Sequence, residues 1–271
     1  MSQIKEICER LDIPQDHVRR ELYKRDETHY DDVLPALKEL NAVSEGQIII
    51  YGGQTTHPSL LGYRKMRLPS DDIDCVCSES GIGLINDNYG REYSNGKGPK
   101  ICYYEPFDTL FMYFDGFPTD LVSENFHDWE IPEDIEEFKT VVPLGDNEIS
   151  VCRPEYTIML KMKRAKDHNN FWGKDQIDIA HLLLSPGEKE ELKDVDLKEA
   201  SHLIEENVTE DKEVIERYLS ELKSGVGALR KEENEKLKEK VKEFERALTR
   251  QYRNSYVIST PEKSKEPAKL G

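Results

Sequence analysis

The stretch Asp72-Ile73-Asp74-Cys75-Val76-Cys77 decides how this chain is read. Along an extended strand, residues two apart share a face. Asp72 and Asp74 therefore project together, while Ile73, Cys75 and Cys77 point the other way into a core. Two carboxylates on one face repel unless something neutralises them, and a hard divalent cation with oxygen ligands does so. Asp-x-Asp alone is a weak signal, since most such pairs are solvated turns or edge strands. Its surroundings raise its weight. Gln47–Tyr51 (QIIIY) is a short buried strand that ends in Gly52-Gly53. Glycines there let backbone N–H groups approach a phosphate, and a helix opening over 54–61 (QTTHPSLL) would aim its N-terminus at the same anion, with Pro58 in its first turn. The bland reading of Gly52-Gly53 is a tight turn.

A third acid, Asp120, lies in Phe117-Pro118-Thr119-Asp120-Leu121-Val122. A lone carboxylate on an apolar strand is costly unless paired or metal-bound. Asp108 and Asp115 are nearby alternatives, and the apolar neighbours of Asp120 favour it. Three convergent carboxylates beside a glycine turn are what metal-assisted phosphoryl or nucleotidyl transfer requires.

Outward from these residues, further strands are expected at 101–104, 110–114, 119–122 and 148–152. Residues 80–100 carry many of the glycines and read as loops around short strands. Residues 127–139 are acidic and read as a loop with a short helix. Residues 2–45 read as three short helices. They admit a helix-turn-helix but lack a basic recognition face, so a helical cap on the following domain is favoured. From Pro154, which suits a helix's first turn, the chain turns helical. A second helix is expected over about 174–184, and 188–252 is charged and helical by pattern. Leu237, Val241, Phe244 and Leu248 are spaced 4, 3 and 4 and form one apolar stripe of a packing helix. Residues 259–271 have no periodicity and contain two prolines, which predicts a disordered tail. The expected fold class is α+β: a small mixed β-sheet flanked by helices, with an N-terminal helical segment (1–45), a sheet core (46–152), a C-terminal helical region (153–258) and the tail.

With 271 residues the chain can bury a real core. Its formal net charge is −17, from 38 Lys and Arg against 55 Asp and Glu. Such a surface repels nucleic acid at long range unless a local basic patch overrides it; a salt-rich cytoplasm is the other reading. Five cysteines, an odd number scattered through apolar runs, suit reduced thiols in a cytosol, and none stands at zinc-site spacing. No signal peptide and no apolar run of membrane-spanning length are visible, so a cytoplasmic protein without a membrane partner is expected.

The run Gly52-Gly53, Leu61-Gly62-Tyr63-Arg64, Arg67 and Ser70-Asp71-Asp72-Ile73-Asp74 resembles the signature of DNA polymerase beta-like nucleotidyltransferases. Met159-Leu160-Lys161-Met162-Lys163-Arg164-Ala165, followed by Lys174-Asp175-Gln176-Ile177-Asp178, is similar to the AbiEii-type branch of abortive-infection and toxin–antitoxin enzymes. The resemblance covers about residues 46–184. It implies that Gly52 and Gly53 form the phosphate-binding turn, with Gln54 and Ser70 also nucleotide-binding, and that Asp72, Asp74 and Asp120 bind Mg2+ (or Mn2+). It gives Lys161 and Lys174 to the nucleotide, and gives Asp175 and Asp178 a catalytic or organising part. It departs from the family at Gly53, where many members have serine. The implied function is metal-dependent transfer of a nucleoside monophosphate from an NTP such as ATP to an acceptor hydroxyl. A tRNA comes first among acceptors, ahead of a protein or a small molecule of aminoglycoside type, and the branch implies an antitoxin partner. The alternatives are a catalytically inactive binding or regulatory protein of the same fold and a DNA-binding regulator using residues 2–45.

Overall fold

The computed structural model describes residues 3–15, 30–56, 73–90, 101–104, 109–114, 117–122, 125–126, 129–130, 136–171, 173–184, 195–209, 212–227 and 229–259. Asp72, Ser70 and the expected tail beyond Ser259 lie outside them, as do Asp108 and Asp115.

Seven strands form one mixed sheet: β1 (Ile48–Tyr51), β2 (Ile73–Cys77), β3 (Ile101–Tyr104), β4 (Thr109–Phe114), β5 (Phe117–Val122), β8 (Lys139–Leu144) and β9 (Asn147–Cys152). Their spatial order is β3-β4-β5-β2-β1-β9-β8. Two short strands, β6 (Asn125–Phe126) and β7 (Trp129–Glu130), pair separately. β1 runs antiparallel to β2 but parallel to β9, and β2 runs parallel to β5. The parallel pairs put β1 and β2 at the centre, where β1 is buried at all four residues. A continuous apolar run such as Ile48-Ile49-Ile50 is what a strand covered on both faces demands.

The central strand β2 agrees with the alternation read from DIDCVC. Ile73, Cys75 and Cys77 are buried in the main core, and Asp74 and Val76 are half-buried on the opposite face. All five cysteines are buried free thiols. Burial raises Cys77 to about 12, so it stays protonated and packs as a small apolar group.

Residues 129–130, within the stretch expected as a loop with a short helix, pair as β7, and two longer segments also differ from the expectation. Residues expected as loops around short strands instead form α3 (Glu79–Tyr89). Ser78 caps it by accepting a hydrogen bond from the Gly81 amide at 3.1 Å, and Ile82 and Ile85 face the core. Its glycine at 81 is required by space: a Cβ there would lie 2.6 Å from Cys77 Sγ. Gly81 therefore marked close approach of a helix to the sheet, not a loop. The second difference is β8, in a stretch to which the sequence pattern assigned no element. It is the outer strand of the sheet, so Pro143 can sit within it, and only Val142 and Leu144 are buried. Half-buried edges give a thin hydrophobic signal.

Helices α1 (Gln3–Arg10) and α2 (Tyr30–Val43) lie on the sheet as a cap. Ile4, Ile7, Val33, Ala36, Leu37 and Leu40 enter the same core as the strands. The Tyr103 amide donates to the Pro14 carbonyl at 2.9 Å, so the chain after α1 covers the β3 edge.

Beyond β9 come α4 (Pro154–Asp167), α5 (Gly173–Leu184), α6 (Leu197–Asn207), α7 (Lys212–Ser224) and α8 (Lys231–Ser259). Pro154 occupies the first turn of α4. α8 packs against α5, α6 and α7, and its stripe Leu237, Val241, Phe244 and Leu248 is buried. One apolar core joins this region to the sheet. Asp196 caps α6 through the amides of Lys198 and Glu199, and the Glu155 carboxylate accepts from the Asp196 amide at 2.7 Å, tying α6 to α4. Among the described residues no helix is long and apolar enough to cross a membrane.

Candidate active site

The strand register draws one row of side chains straight across the sheet. Tyr51 on β1 stands opposite Asp74 on β2, Asp74 opposite Asp120 on β5, Asp120 opposite Phe111 on β4, and Phe111 opposite Cys102 on β3. Directly paired residues share a face, so the row places Asp74 and Asp120 side by side on neighbouring parallel strands. Asp74 is half-buried, whereas Asp120 is buried at 1% exposure. Phe111 and Cys102, with Tyr104, form an apolar cluster apart from the main core. They flank Asp120 on this face.

Tyr51 closes the row on the other side. Its phenol is fully buried, and burial first, then the charges of Asp74 and Asp120, push its pKa well above the usual tyrosine value. The hydroxyl is therefore neutral at the floor of the acid row. Tyr51 was legible in QIIIY only as an apolar strand residue. Its place beside Asp74 depends on register.

Immediately after Tyr51, the chain turns into a 3-10 helix over Gly52–Thr56. The expected helix over 54–61 is thus a 3-10 turn that opens at Gly52; residues 57–61 lie outside the described ones. Gly52 has φ +68°, a left-handed conformation. A Cβ on it would stand 2.5 Å from Asp74 Oδ2. Glycine is thus required twice at this position, by backbone angle and by the carboxylate pressed against it. The Thr55 hydroxyl donates to the Gly52 carbonyl at 2.8 Å and braces the turn. Gly53 and the backbone of Gln54 belong to the same turn, which packs against β1, β2, α4 and α5.

Lys161, Asp175 and Asp178 are brought together in a second cluster, between α4 and α5. Lys161 Nζ lies 3.1 Å from Asp175 Oδ1 and 2.6 Å from Asp178 Oδ2. Arg164, one turn along α4, stands 3.8 Å from Asp175. All three of the expected residues are buried. Burial alone would raise the Asp175 carboxyl; Lys161, then Arg164, outweigh it and hold the group below the usual carboxylate value. The Lys161 ammonium is thus engaged by carboxylates on the neighbouring helix. Lys174 is exposed in the first turn of α5. Arg164 is the member of this cluster that sequence reading did not single out, although its spacing of three from Lys161 on a helix puts both on one face.

Asp74 and Asp120 offer hard oxygen donors from adjacent strands, the donor chemistry that Mg2+ or Mn2+ prefers. The third acid of the expected set, Asp72, lies outside the described residues, among which no three His, Cys, Asp or Glu side chains form a metal-holding group. The two acids present fit a divalent cation as a partial ligand set.

No family model matches the chain, and no curated relative matches it. Among solved structures, a candidate nucleotidyltransferase from Thermotoga maritima overlays with a TM-score of 0.38 at 16% identity, over 53% of this chain and 91% of that one. JHP933 from Helicobacter pylori overlays with a TM-score of 0.40 at 12% identity, over 85% of this chain and 97% of that one. A candidate nucleotidyltransferase from H. pylori overlays with a TM-score of 0.41 at 13% identity, over 82% and 96% respectively. With overlays this loose, the chemistry has to be argued from the residues themselves.

Proposed function

We propose that this protein is a metal-dependent nucleotidyltransferase that moves a nucleoside monophosphate from an NTP to an acceptor hydroxyl and releases pyrophosphate. The observation that carries it is the pairing of Asp74 with Asp120 on adjacent parallel strands, with the Gly52 backbone against the Asp74 carboxylate. Hydroxyl attack on an NTP needs negative charge gathered at the reacting phosphate to be offset and the two reactants held in line.

Asp74 and Asp120, with Asp72 two positions before Asp74 in the sequence, would hold Mg2+ or Mn2+. When bound, the ion supplies positive charge to the triphosphate and to the leaving pyrophosphate. The turn at Gly52-Gly53 brings backbone close to the acids without side-chain bulk, which leaves room for the phosphates. Asp120, buried deeper than Asp74, would help hold the ion or take the proton of the acceptor hydroxyl. Tyr51 keeps its proton and so adds no third negative charge to the row. Lys161 sets the position of Asp175 and Asp178 on α5, and the turn at 52–56 packs against that helix pair. The resemblance of residues 46–184 extends this reading to a tRNA acceptor and to a toxin held by an antitoxin.

The test is direct. Purified protein is incubated with Mg2+ and each α-labelled NTP, with and without tRNA, and label transfer and pyrophosphate are measured. Transfer that is abolished by Asp74→Asn is the expected result. Absence of both transfer and NTP binding with every nucleotide removes the enzyme reading.

A further inference from the structure

The chain carries 17 more acidic than basic side chains, so a surface where bases prevail needs a reason. A groove between α7 and α8 is lined by Glu216, Ser220, Lys223, Lys242, Glu245, Arg246, Thr249 and Arg250. Four of these are cationic and two anionic. Their pairing sharpens the imbalance. Glu245 is engaged by Lys223, Glu216 by Lys212 at 2.5 Å, and Lys242 by Glu239 at 2.6 Å. Among the described residues, Arg246 and Arg250 have no carboxylate partner. Both are exposed.

Positions 242, 246 and 250 recur every four residues, so on a straight helix they make one stripe along α8. Arg246 and Arg250 are separated by about 6 Å along the axis, of the order of the step between successive phosphates in an extended strand. Thr249 and Ser220 add hydroxyl donors on either side of the groove. A guanidinium is the side chain best suited to a phosphate because its donors form a planar fork. The groove is open and polar, which suits a sugar–phosphate chain better than an apolar ligand.

We infer that the α7–α8 groove is a docking site for the phosphodiester backbone of a nucleic-acid strand, with Arg246 and Arg250 each taking one phosphate. As the place that would hold a nucleic-acid acceptor, it rests on the acceptor part of the proposed function. It does not depend on the transfer chemistry. A local cationic stripe of this kind overrides long-range repulsion from an acidic surface only at short range. Binding is therefore steeply salt-dependent.

The experiment uses the full chain and a fluorescein-labelled single-stranded RNA oligonucleotide of mixed sequence, followed by anisotropy across a salt series. The double variant Arg246→Gln/Arg250→Gln is expected to bind about tenfold more weakly at low salt, with the slope of log K against log salt reduced by about 1.4, near 0.7 for each phosphate that is no longer neutralised. Both arginines are exposed, so the variant's melting temperature is expected to match the wild type and rule out misfolding. Lys198→Gln, an exposed cation on α6, is expected to leave binding unchanged. Asp74→Asn is expected to bind RNA as the wild type does while losing transfer, which separates this site from the chemistry. Wild-type protein that binds no RNA, a double variant that binds as well as the wild type, or an equal loss in Lys198→Gln overturns the site. Inorganic phosphate that competes as strongly as RNA, phosphate for phosphate, overturns the assignment to a strand.

Discussion

Asp175 and Asp178 are buried around a lysine; Asp74 and Asp120 are set beside each other on the sheet. In the helical pair, Lys161 lies within 3.1 Å of both carboxylates and Arg164 adds a second positive charge. Both acids are met by cations that the fold itself supplies. In the sheet pair, register puts two acids side by side, with a phenol on one flank and Phe111 on the other. The first arrangement ties α4 to α5. The second sets two carboxylates side by side on the rigid surface of the sheet. Buried ion clusters and metal-binding acids draw on the same residue types, and only their neighbours distinguish them.

Removing one acid from each pair should break that comparison in opposite ways. Asp74→Asn is expected to cut nucleotidyl transfer by roughly 10³-fold or more, since the oxygen donor set is lost. Its stability should stay level or rise in metal-free protein, because repulsion with Asp120 is relieved. Urea unfolding beside the transfer assay measures both. Transfer at the wild-type rate would show that the sheet pair is merely structural.

Lys161→Met should do the reverse and destabilise the fold by about 3–5 kcal/mol at neutral pH, because two buried carboxylates lose their counter-charge. The pH dependence carries the sign. Asp175 is held below its unfolded value by Lys161 and Arg164, so its ion pair with Lys161 contributes stability above the ordinary carboxylate range. That contribution is lost as pH falls through the folded value, because the unfolded chain takes up protons first. In Lys161→Met, burial dominates instead, and acidification should narrow the gap to wild type. Chemical denaturation at several pH values reads both curves.

Phe244→Ala probes the helical region without touching any charge. A fully buried ring is removed from the stripe on α8, and a loss of about 3–5 kcal/mol is expected. Gly52→Ala falls below these in stability, at about 1–3 kcal/mol, since it forces a side chain into φ +68°. It should still lower transfer sharply, because the new methyl must displace the Asp74 carboxylate. If Gly52→Ala keeps full transfer, the close approach of turn and acid has no part in the chemistry. The smallest effect is expected at Val141, 53% exposed on the edge strand β8. Val141→Thr should change stability by less than about 0.5 kcal/mol.

Much of the fold could be read from local pattern. QIIIY reads as a strand because three consecutive isoleucines need cover on both faces. DIDCVC reads as a strand by the alternation of its residues, and Leu237, Val241, Phe244 and Leu248 read as one buried face because their spacing follows the helix. Pro154 marks the start of α4 because its missing amide falls where a helix has none to satisfy. The segments that escaped carry weak or misleading local signals. α3 holds a glycine at 81 because a side chain there would meet Cys77, a contact between elements that sequence order does not display. β8 lies at the margin of the sheet and needs few apolar residues.

The candidate site divides along the same line. The sequence by itself established that Asp74 sits on a strand with its core-facing neighbours turned away, that a glycine turn precedes it, and that Asp120 lies within an apolar strand. These follow from periodicity, which acts over a few residues. Only the tertiary structure decided that Asp120 stands opposite Asp74, that Tyr51 is the third member of the row, and that Lys161 is enclosed by Asp175 and Asp178. Those relations depend on strand register and on the seating of α5 against α4. Both are fixed by packing between segments far apart in the chain, where no local pattern reaches.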